Sequence, residues 1–250
     1  MIRIAAAGDV HASEATRDRV ESAFERVEDE ADVVLLAGDL TTTGGLEQAE
    51  VLAGACRSLS IPVFAVLGNH DFHAGCADGI AALLADAGVR MLDRSWAACE
   101  VAGLELGVVG TKGFVGGFPG CVLPDFGEPL LREVYAETTR DAESIARGLR
   151  EIVHCDLRIV LLHYAPVEAT VMGEPAGIHV LLGSDRLATP IAECGADLVL
   201  HGHAHAGSFE GRIGQIPVYN VAVHVTGRDF WIFDLEGARD RSSVEVEGPA

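Results

Sequence analysis

Five short segments of this chain carry side chains of the types that bind metal ions. Four of them begin with glycine at the end of an apolar run; they are Gly8-Asp9-Val10-His11, Gly38-Asp39, Gly68-Asn69-His70-Asp71 and Gly202-His203-Ala204-His205. The fifth is His163, which directly follows the apolar run Ile159–Leu162. Carboxylate, imidazole and amide oxygen together favour Mn, Fe or Zn over Ca or Mg, and no thiolate is included, which argues against a structural zinc site.

The spacing within these segments favours ligation by neighbouring side chains. Side chains two residues apart in an extended segment point the same way, so Asp9 and His11 can face one ion or two adjacent ions, as can His203 and His205. Each leading glycine allows the backbone to turn sharply and to approach an ion closely. A single aspartate after glycine can equally well cap a turn, and it is the ordered set that indicates a metal site.

The elements that must position these segments alternate as in an α/β (α+β) protein. Apolar runs predict strands at Ile2–Ala7, Val33–Ala37, Val63–Leu67, Leu104–Gly110, Arg158–Leu162, Asp197–Leu200, Val218–Ala222 and Phe230–Leu235. Amphipathic stretches predict helices at Glu14–Glu30, Leu46–Leu59 and Asp78–Ala87, a longer helix from Pro129 that Gly148 interrupts, and a short one from Thr189 to Gly195. Consecutive βα units imply parallel strands, and we expect a single domain over residues 1–250.

Composition narrows the classes of partner. The 250 residues carry a formal net charge of −20 and no run of Lys or Arg, so we do not expect a nucleic-acid polymer as substrate. No apolar run is long enough to span a membrane, and the first strand lacks the features of a secretory signal. The six cysteines form no CxxC pair, which favours reduced thiols. We therefore expect a cytoplasmic protein without a membrane partner, of undetermined oligomeric state.

The ordered set GDVH, GD, GNHD, H and GHAH resembles the calcineurin-like metallophosphoesterase family. The motifs occur in the family order and span Asp9 to His205, which is most of the chain. The resemblance implies a sandwich of two β-sheets flanked by helices, in four αββα layers, with the metals at one edge. It also implies a hydrolase that cleaves phosphoesters with two divalent or trivalent ions, Mn or a mixed Fe, Zn and Mn pair.

Carried over residue by residue, the resemblance implies a complete set of metal ligands. One ion would be bound by Asp9, His11 and His205, the other by Asn69, His163 and His203, and Asp39 would bridge both. His70 would be the catalytic residue that protonates the leaving oxygen or stabilises charge on the phosphoryl group, with the adjacent Asp71 orienting it. Many members have Gly at the position of Ala12, whose methyl group is expected to narrow the approach to the site, and many have Glu at the position of Asp71.

Two cations about 4 Å apart can clamp the phosphoryl oxygens and lower the pKa of bound water toward neutrality. By analogy with compact family members that carry GNHD, we expect a phosphodiesterase acting on a small substrate such as a nucleotide. A phosphomonoesterase is the alternative. A nuclease is disfavoured by the acidic charge, and a non-catalytic metal-binding interaction scaffold is disfavoured by the complete ligand set.

Several features stay open at this level. His73, His201 and His224 could line the site or serve the fold, with His201 expected either to be structural or to support a metal ligand. Lys112 and Arg132 could meet a substrate phosphate, but a solvated role is favoured for both. The loops at residues 111–128 and 164–183 are expected to determine specificity, because they leave the ends of predicted strands.

Overall fold

The computed structural model describes residues 1–237, and in it two β-sheets pack face to face. The first sheet contains β1 (Ile2–Ala7), β2 (Val33–Ala37), β3 (Val63–Val66), β4 (Val89–Met91) and β13 (Trp231–Leu235). Its strand order is β13-β1-β2-β3-β4, in which β1 to β4 are parallel and β13 is antiparallel.

The second sheet has six strands. They are β5 (Ser95–Val101), β6 (Leu104–Gly110), β9 (Leu157–Leu161), β10 (Leu198–His201), β11 (Glu210–Ile213) and β12 (Ile216–Asn220). The order is β11-β12-β10-β9-β6-β5, with the four central strands parallel and both edge strands antiparallel to their neighbours. A separate hairpin pairs β7 (Gly117–Phe118) with β8 (Cys121–Val122).

Helices cover the outer face of each sheet. The helices are α1 (Arg17–Glu30), α2 (Leu46–Arg57), α3 (Ala77–Asp86), α4 (Pro129–Glu151), α5 (His179–Leu182), α6 (Ala188–Cys194) and α7 (Val223–Thr226). The apolar faces of α1, α2 and α3 pack on the first sheet, and those of α4 and α6 pack on the second. Short 3₁₀ turns lie at Glu14–Thr16, His70–Phe72, Glu168–Thr170, Ala176–Ile178 and Asp185–Leu187.

The alternation of side chains along β1 explains the layering. Ile2, Ile4 and Ala6 face the second sheet, whereas Ala5 and Ala7 face the helices. Because a strand covered on both faces must be apolar on both, these strands appear in the sequence as continuous apolar runs. The predicted fold of two sheets flanked by helices is confirmed.

The sequence analysis missed three of the four edge strands of the two sheets, namely β4, β5 and β11. In β5 the residues alternate between partly buried and exposed, and in β11 Glu210 and Arg212 point to solvent. A half-exposed strand needs only one apolar face, so β4, β5 and β11 lack the continuous run that reveals a central strand. The bounds of the other predicted strands differ from those observed by no more than a residue or two at each end.

The prediction that Gly148 interrupts the long helix is wrong, since α4 runs unbroken from Pro129 to Glu151. A Cβ at Gly148 would lie 2.7 Å from Cγ1 of Val109 on β6. The glycine therefore allows the helix to lie close against the second sheet. Residues 238–250 of the predicted domain lie outside the described residues, and no helix within residues 1–237 is long and apolar enough to cross a membrane.

Close packing between the sheets can be tested at Gly110. A Cβ at this position would overlap the side chain of Leu92 and lie 3.0 Å from Cγ1 of Val66, so Gly110→Ala should lower the free energy of unfolding by about 1–3 kcal/mol. Gly54→Ala in α2 is the control, because nothing lies within 4 Å of its new Cβ, and it should raise stability by about 0.5–1 kcal/mol. Urea unfolding of both variants measures the difference, and equal effects would contradict this account of the packing.

Candidate dinuclear metal centre

All five predicted ligand segments leave the carboxyl ends of parallel strands. Asp9, Asp39 and Asn69 follow β1, β2 and β3 of the first sheet, whereas His163 and His203 follow β9 and β10 of the second. Because the two sheets pack face to face, these loops meet along one edge of the sandwich. This is the edge at which open α/β sheets place ligands.

The side chains form two groups that could each hold a metal ion. In the first donor cluster, one ligand atom from each of Asp9, His11, Asp39 and His205 lies within 4.8 Å of all the others. In the second donor cluster the same holds for Asp39, His163 and His203. Oδ1 of Asn69 lies 2.8 Å from Nε2 of His163, which brings the last predicted ligand to the second cluster. Asp39 belongs to both clusters.

Glycine permits the close approach of the two sheets here. Gly38 has φ +81°, and a Cβ on it would lie 2.5 Å from Nδ1 of His163 on the opposite sheet. A Cβ on Gly8 would lie 3.1 Å from Cα of Gly202, the glycine that leads the histidine pair. Any larger residue at either position would push the two halves of the site apart.

Four of the predicted ligands have left-handed backbone conformations. The φ angles are +58° at Asp9, +48° at His11, +48° at Asp39 and +72° at His203. Such conformations cost a non-glycine residue free energy and persist only where the surrounding structure enforces them. Their concentration in these loops indicates that the loops place the ligand side chains at the cost of unfavourable backbone conformations.

Backbone carbonyls fix the orientation of the imidazoles. His163 donates from Nδ1 to the carbonyl of Ala37 at 2.9 Å, and His203 donates from Nε2 to the carbonyl of Leu181 at 3.2 Å. Since a carbonyl only accepts, each ring must carry its proton on the bonded nitrogen, which leaves a lone pair on the other. This is the usual arrangement for histidines that ligate a metal.

The charges of the centre also suit a cation. Asp9 and Asp39 are at most 1% exposed. Burial alone would raise the pKa of Asp9, but the hydrogen bonds from His205 and from the backbone N–H of His203 outweigh it and hold the pKa at about 2. Burial lowers the pKa of His203 to about 3, so its ring is neutral at neutral pH.

His70 lies beside both clusters. Its Nδ1 donates to the carbonyl of Thr42 at 2.7 Å, and its Nε2 lies 3.9 Å from Oδ2 of Asp39. Its backbone N–H donates to Oδ1 of Asp39 at 2.8 Å. The bond to Thr42 fixes the ring so that Nε2 faces the shared carboxylate.

Comparison with known proteins identifies the family. The family model of the calcineurin-like phosphoesterases matches residues 2–207. The chain belongs to the calcineurin-like phosphoesterase family. Family membership makes it a metal-dependent enzyme that hydrolyses phosphoesters. The family uses a dinuclear metal centre, and each of the two donor clusters could hold one metal ion. Among curated proteins, none matches the chain.

Solved structures share the fold at low sequence identity. The phosphopantetheinyl hydrolase PptH from Mycobacterium tuberculosis is similar with a TM-score of 0.66 and 13% identity, over 93% of this chain and 96% of that one. TT1561 from Thermus thermophilus is similar with a TM-score of 0.58 and 17% identity, over 94% of this chain and 99% of that one. At these identities the similarity establishes the fold alone.

In this phosphoesterase, the expectation that Asp71 orients His70 is wrong. The Asp71 carboxylate is fully buried and accepts hydrogen bonds from other groups, namely the backbone N–H groups of Leu40, Thr41 and Gly68 and the hydroxyl of Thr41. Burial raises the pKa of Asp71, against the lowering effect of these bonds. Asp71 therefore ties the loop after β2 to the loop after β3, and Thr42 orients His70 instead.

The expectation for Ala12 is also wrong. Its side chain is fully buried and packs in the apolar core beneath the helices of the first sheet. Its backbone N–H donates to the carbonyl of Leu40 at 2.9 Å, which holds the loop after β1 beside the loop after β2. The methyl group that distinguishes this residue from glycine therefore lies in the core.

The remaining histidines separate into two kinds. His224 stacks on His205 with ring centroids 4.1 Å apart, and His73 lies 4.5 Å from His70, so both border the centre. His201 is fully buried, with Nδ1 bonded to the carbonyl of Gly202 and Nε2 to the hydroxyl of Thr170, each at 2.8 Å. Burial lowers the pKa of His201 to about 4, and its role is structural, as expected.

Three residues that support the centre escaped the sequence analysis. Asn220 is buried at the end of β12, and its amide donates to the carbonyl of Ala204 between the two predicted ligands of that loop. The ring of Tyr164 lies 4.4 Å from that of His203, and Thr42 anchors His70. All three residues contact partners that are distant in sequence. Only Tyr164, which directly follows the predicted ligand His163, could have been predicted from its position to lie at the site.

Asp71→Asn should lower the free energy of unfolding by about 2–4 kcal/mol. An amide offers one acceptor oxygen where the carboxylate uses two, and hydrogen bonds to a charged acceptor are the stronger kind. Asp86→Asn is the control, because this exposed aspartate at the end of α3 should tolerate the change within about 0.5 kcal/mol. Denaturant unfolding distinguishes the two, and a neutral Asp71→Asn would show that the two loops do not depend on this carboxylate.

Proposed function

We propose that this enzyme hydrolyses phosphodiesters of small molecules such as nucleotides. The carboxylate of Asp39, shared by two donor clusters, is the observation that carries the proposal, because it suits two ions held side by side. In this proposal Asp9, His11 and His205 would bind one ion, and Asn69, His163 and His203 would bind the other. Asp39 would bind both. The donor types favour Mn or a mixed Fe, Zn and Mn pair.

When bound, a metal pair neutralises charge on the phosphoryl group and activates water for attack. The protein supplies orientation and a proton. His70 holds one proton on Nδ1 through Thr42, so a second proton on Nε2 would point toward the shared carboxylate and the phosphoryl group above it. In this position His70 can protonate the leaving oxygen as the ester bond breaks.

The apolar side chains beside the centre support a diester over a monoester. Phe72 follows His70 by two residues and is 49% exposed, and Leu181, whose carbonyl contacts His203, is 52% exposed. A diester carries two organic groups, which exposed apolar side chains of this kind can cover. A monoester carries only one.

We further infer a cytoplasmic location and a single functional domain. All six cysteines are free thiols, as expected in a reducing compartment. The proposed ligands extend from residue 9 to residue 205, so the metal centre needs most of the chain in one folded unit.

Hydrolysis of bis-(p-nitrophenyl) phosphate and of p-nitrophenyl phosphate, with Mn²⁺ supplied, tests the proposal directly. We expect a higher kcat/KM for the diester. A preference for the monoester would make the enzyme a phosphatase. Turnover of neither, with two ions bound per chain, would favour a non-catalytic interaction scaffold.

Asp39→Ala should abolish both metal binding and hydrolysis, because one carboxylate is proposed to serve both ions. Metal content after dialysis, measured by mass spectrometry, should fall from two ions per chain to none. Asp86→Ala is the matched control and should keep both ions, since Asp86 is exposed and lies outside both clusters. Retention of both ions by Asp39→Ala would contradict the bridging role.

His70→Ala should keep both ions and lower kcat by about 10²- to 10⁴-fold, the usual contribution of a positioned acid or base. The loss should be smaller for substrates whose leaving group is a weak base, because these need little protonation. Assays of phosphodiesters with leaving groups of graded pKa measure this dependence. Loss of metal from this variant would instead make His70 a ligand.

A further inference from the structure

Lys112 is the only lysine in the 250-residue sequence, and every other basic residue, histidine aside, is arginine. It lies just beyond β6, at the edge of the sandwich that carries the metal centre. Its carbonyl accepts the backbone N–H groups of His163 and Tyr164, each at 3.0 Å. The backbone of Lys112 is therefore held directly beside the second donor cluster.

Aromatic rings frame the ammonium of this lysine. Nζ lies 4.4 Å from the ring centroid of Phe114, 5.0 Å from that of Tyr164 and 5.6 Å from that of Phe72. One ammonium N–H donates to the carbonyl of Gly113 at 3.1 Å. An ammonium has three N–H donors, so within residues 1–237 the other two meet ring faces and no acceptor.

The nearest carboxylates are already paired with another cation. Arg94 bonds to Asp141 through Nε at 2.7 Å and to Glu137 through its terminal nitrogen. Asp141 also accepts the hydroxyl of Thr111 at 2.7 Å. Among the described residues no carboxylate forms an ion pair with Lys112. Burial lowers the pKa of Lys112, and the charges of Asp141 and Glu137 act against this lowering.

Two of the three aromatic residues around Lys112, Tyr164 and Phe72, connect it to the metal centre. Tyr164 contacts both Lys112 and His203, and the half-exposed Phe72 follows the proposed acid His70 by two residues. The ammonium therefore lies near the metal centre, next to the half-exposed ring of Phe72. Arginine would spread its charge over a wide planar fork, whereas lysine presents a compact point charge that fits between rings.

We propose that Lys112, framed by Phe72, Phe114 and Tyr164, binds a second phosphate group of the substrate, one separate from the phosphodiester that is cleaved. This inference rests on the phosphodiesterase function proposed above. It narrows the substrate class to phosphodiesters in which one organic group carries a further phosphate.

A matched pair of substrates tests the proposal. p-Nitrophenyl ethyl phosphate and p-nitrophenyl 2-phosphonoethyl phosphate release the same product and differ only by a phosphonate that cannot be hydrolysed. The wild type should prefer the phosphonate-bearing ester, and Lys112→Met should lower the ratio of the two kcat/KM values by about 10- to 100-fold, as expected for a charge-assisted hydrogen bond. Lys112→Arg should restore part of the ratio, and all three proteins should hold two ions per chain.

A second measurement does not depend on turnover. Because Lys112 is the only lysine, acetic anhydride can modify it and the α-amino group alone among amines, and mass spectrometry gives the two rates separately. Ethyl 2-phosphonoethyl phosphate should slow acetylation of Lys112 relative to the α-amino group, whereas diethyl phosphate should not.

The outcomes separate the two proposals. Protection of Lys112 without hydrolysis of either ester would support the phosphate subsite and refute the phosphodiesterase. Hydrolysis of both esters with equal kcat/KM, or an unchanged ratio in Lys112→Met, would overturn the subsite and leave the phosphodiesterase intact. Equal protection by both diesters would also overturn the subsite.

Discussion

Side chains from two separate sheets must come within a few ångströms of one another for this site to exist. The first donor cluster takes Asp9, His11 and Asp39 from the first sheet and His205 from the second. The second cluster joins Asp39 to two histidines of the second sheet. The close approach of the two carboxyl edges, permitted by glycines such as Gly38 and Gly8, is the constraint on which the other features depend.

Burying two acidic side chains has a free-energy cost that the neighbouring loops must offset. Asp9 is stabilised as an anion by hydrogen bonds from His205 and from the backbone of His203. The loops themselves are held by buried polar groups, with Asp71 bonding the turns after β2 and β3 and Asn220 bonding the turn after β10. Fully satisfied networks of this kind rigidify a site and maintain backbone conformations that are unfavourable in isolation.

The types of the metal ligands could be predicted from the sequence, whereas many of the contacts that position them could not. Ligand types at the ends of apolar runs identified the segments that meet at the centre, because a buried parallel strand and a polar strand end are both local signals. The partners of Asp71 could not be predicted in the same way, since adjacency suggested a contact with His70, whereas the carboxylate accepts hydrogen bonds from the loops after β2 and β3. The roles of Ala12, Asn220 and Lys112 depend on contacts with segments 16 or more residues away, and such contacts leave no local pattern.

The division of each cluster between the two sheets has a consequence for biosynthesis. His205 completes the first cluster, and it follows the other members by more than 160 residues in the chain. A nascent chain that has not yet released the loop after β10 from the ribosome holds neither complete set of donors. Binding of an ion by either complete set of donors therefore requires that the two sheets have already docked.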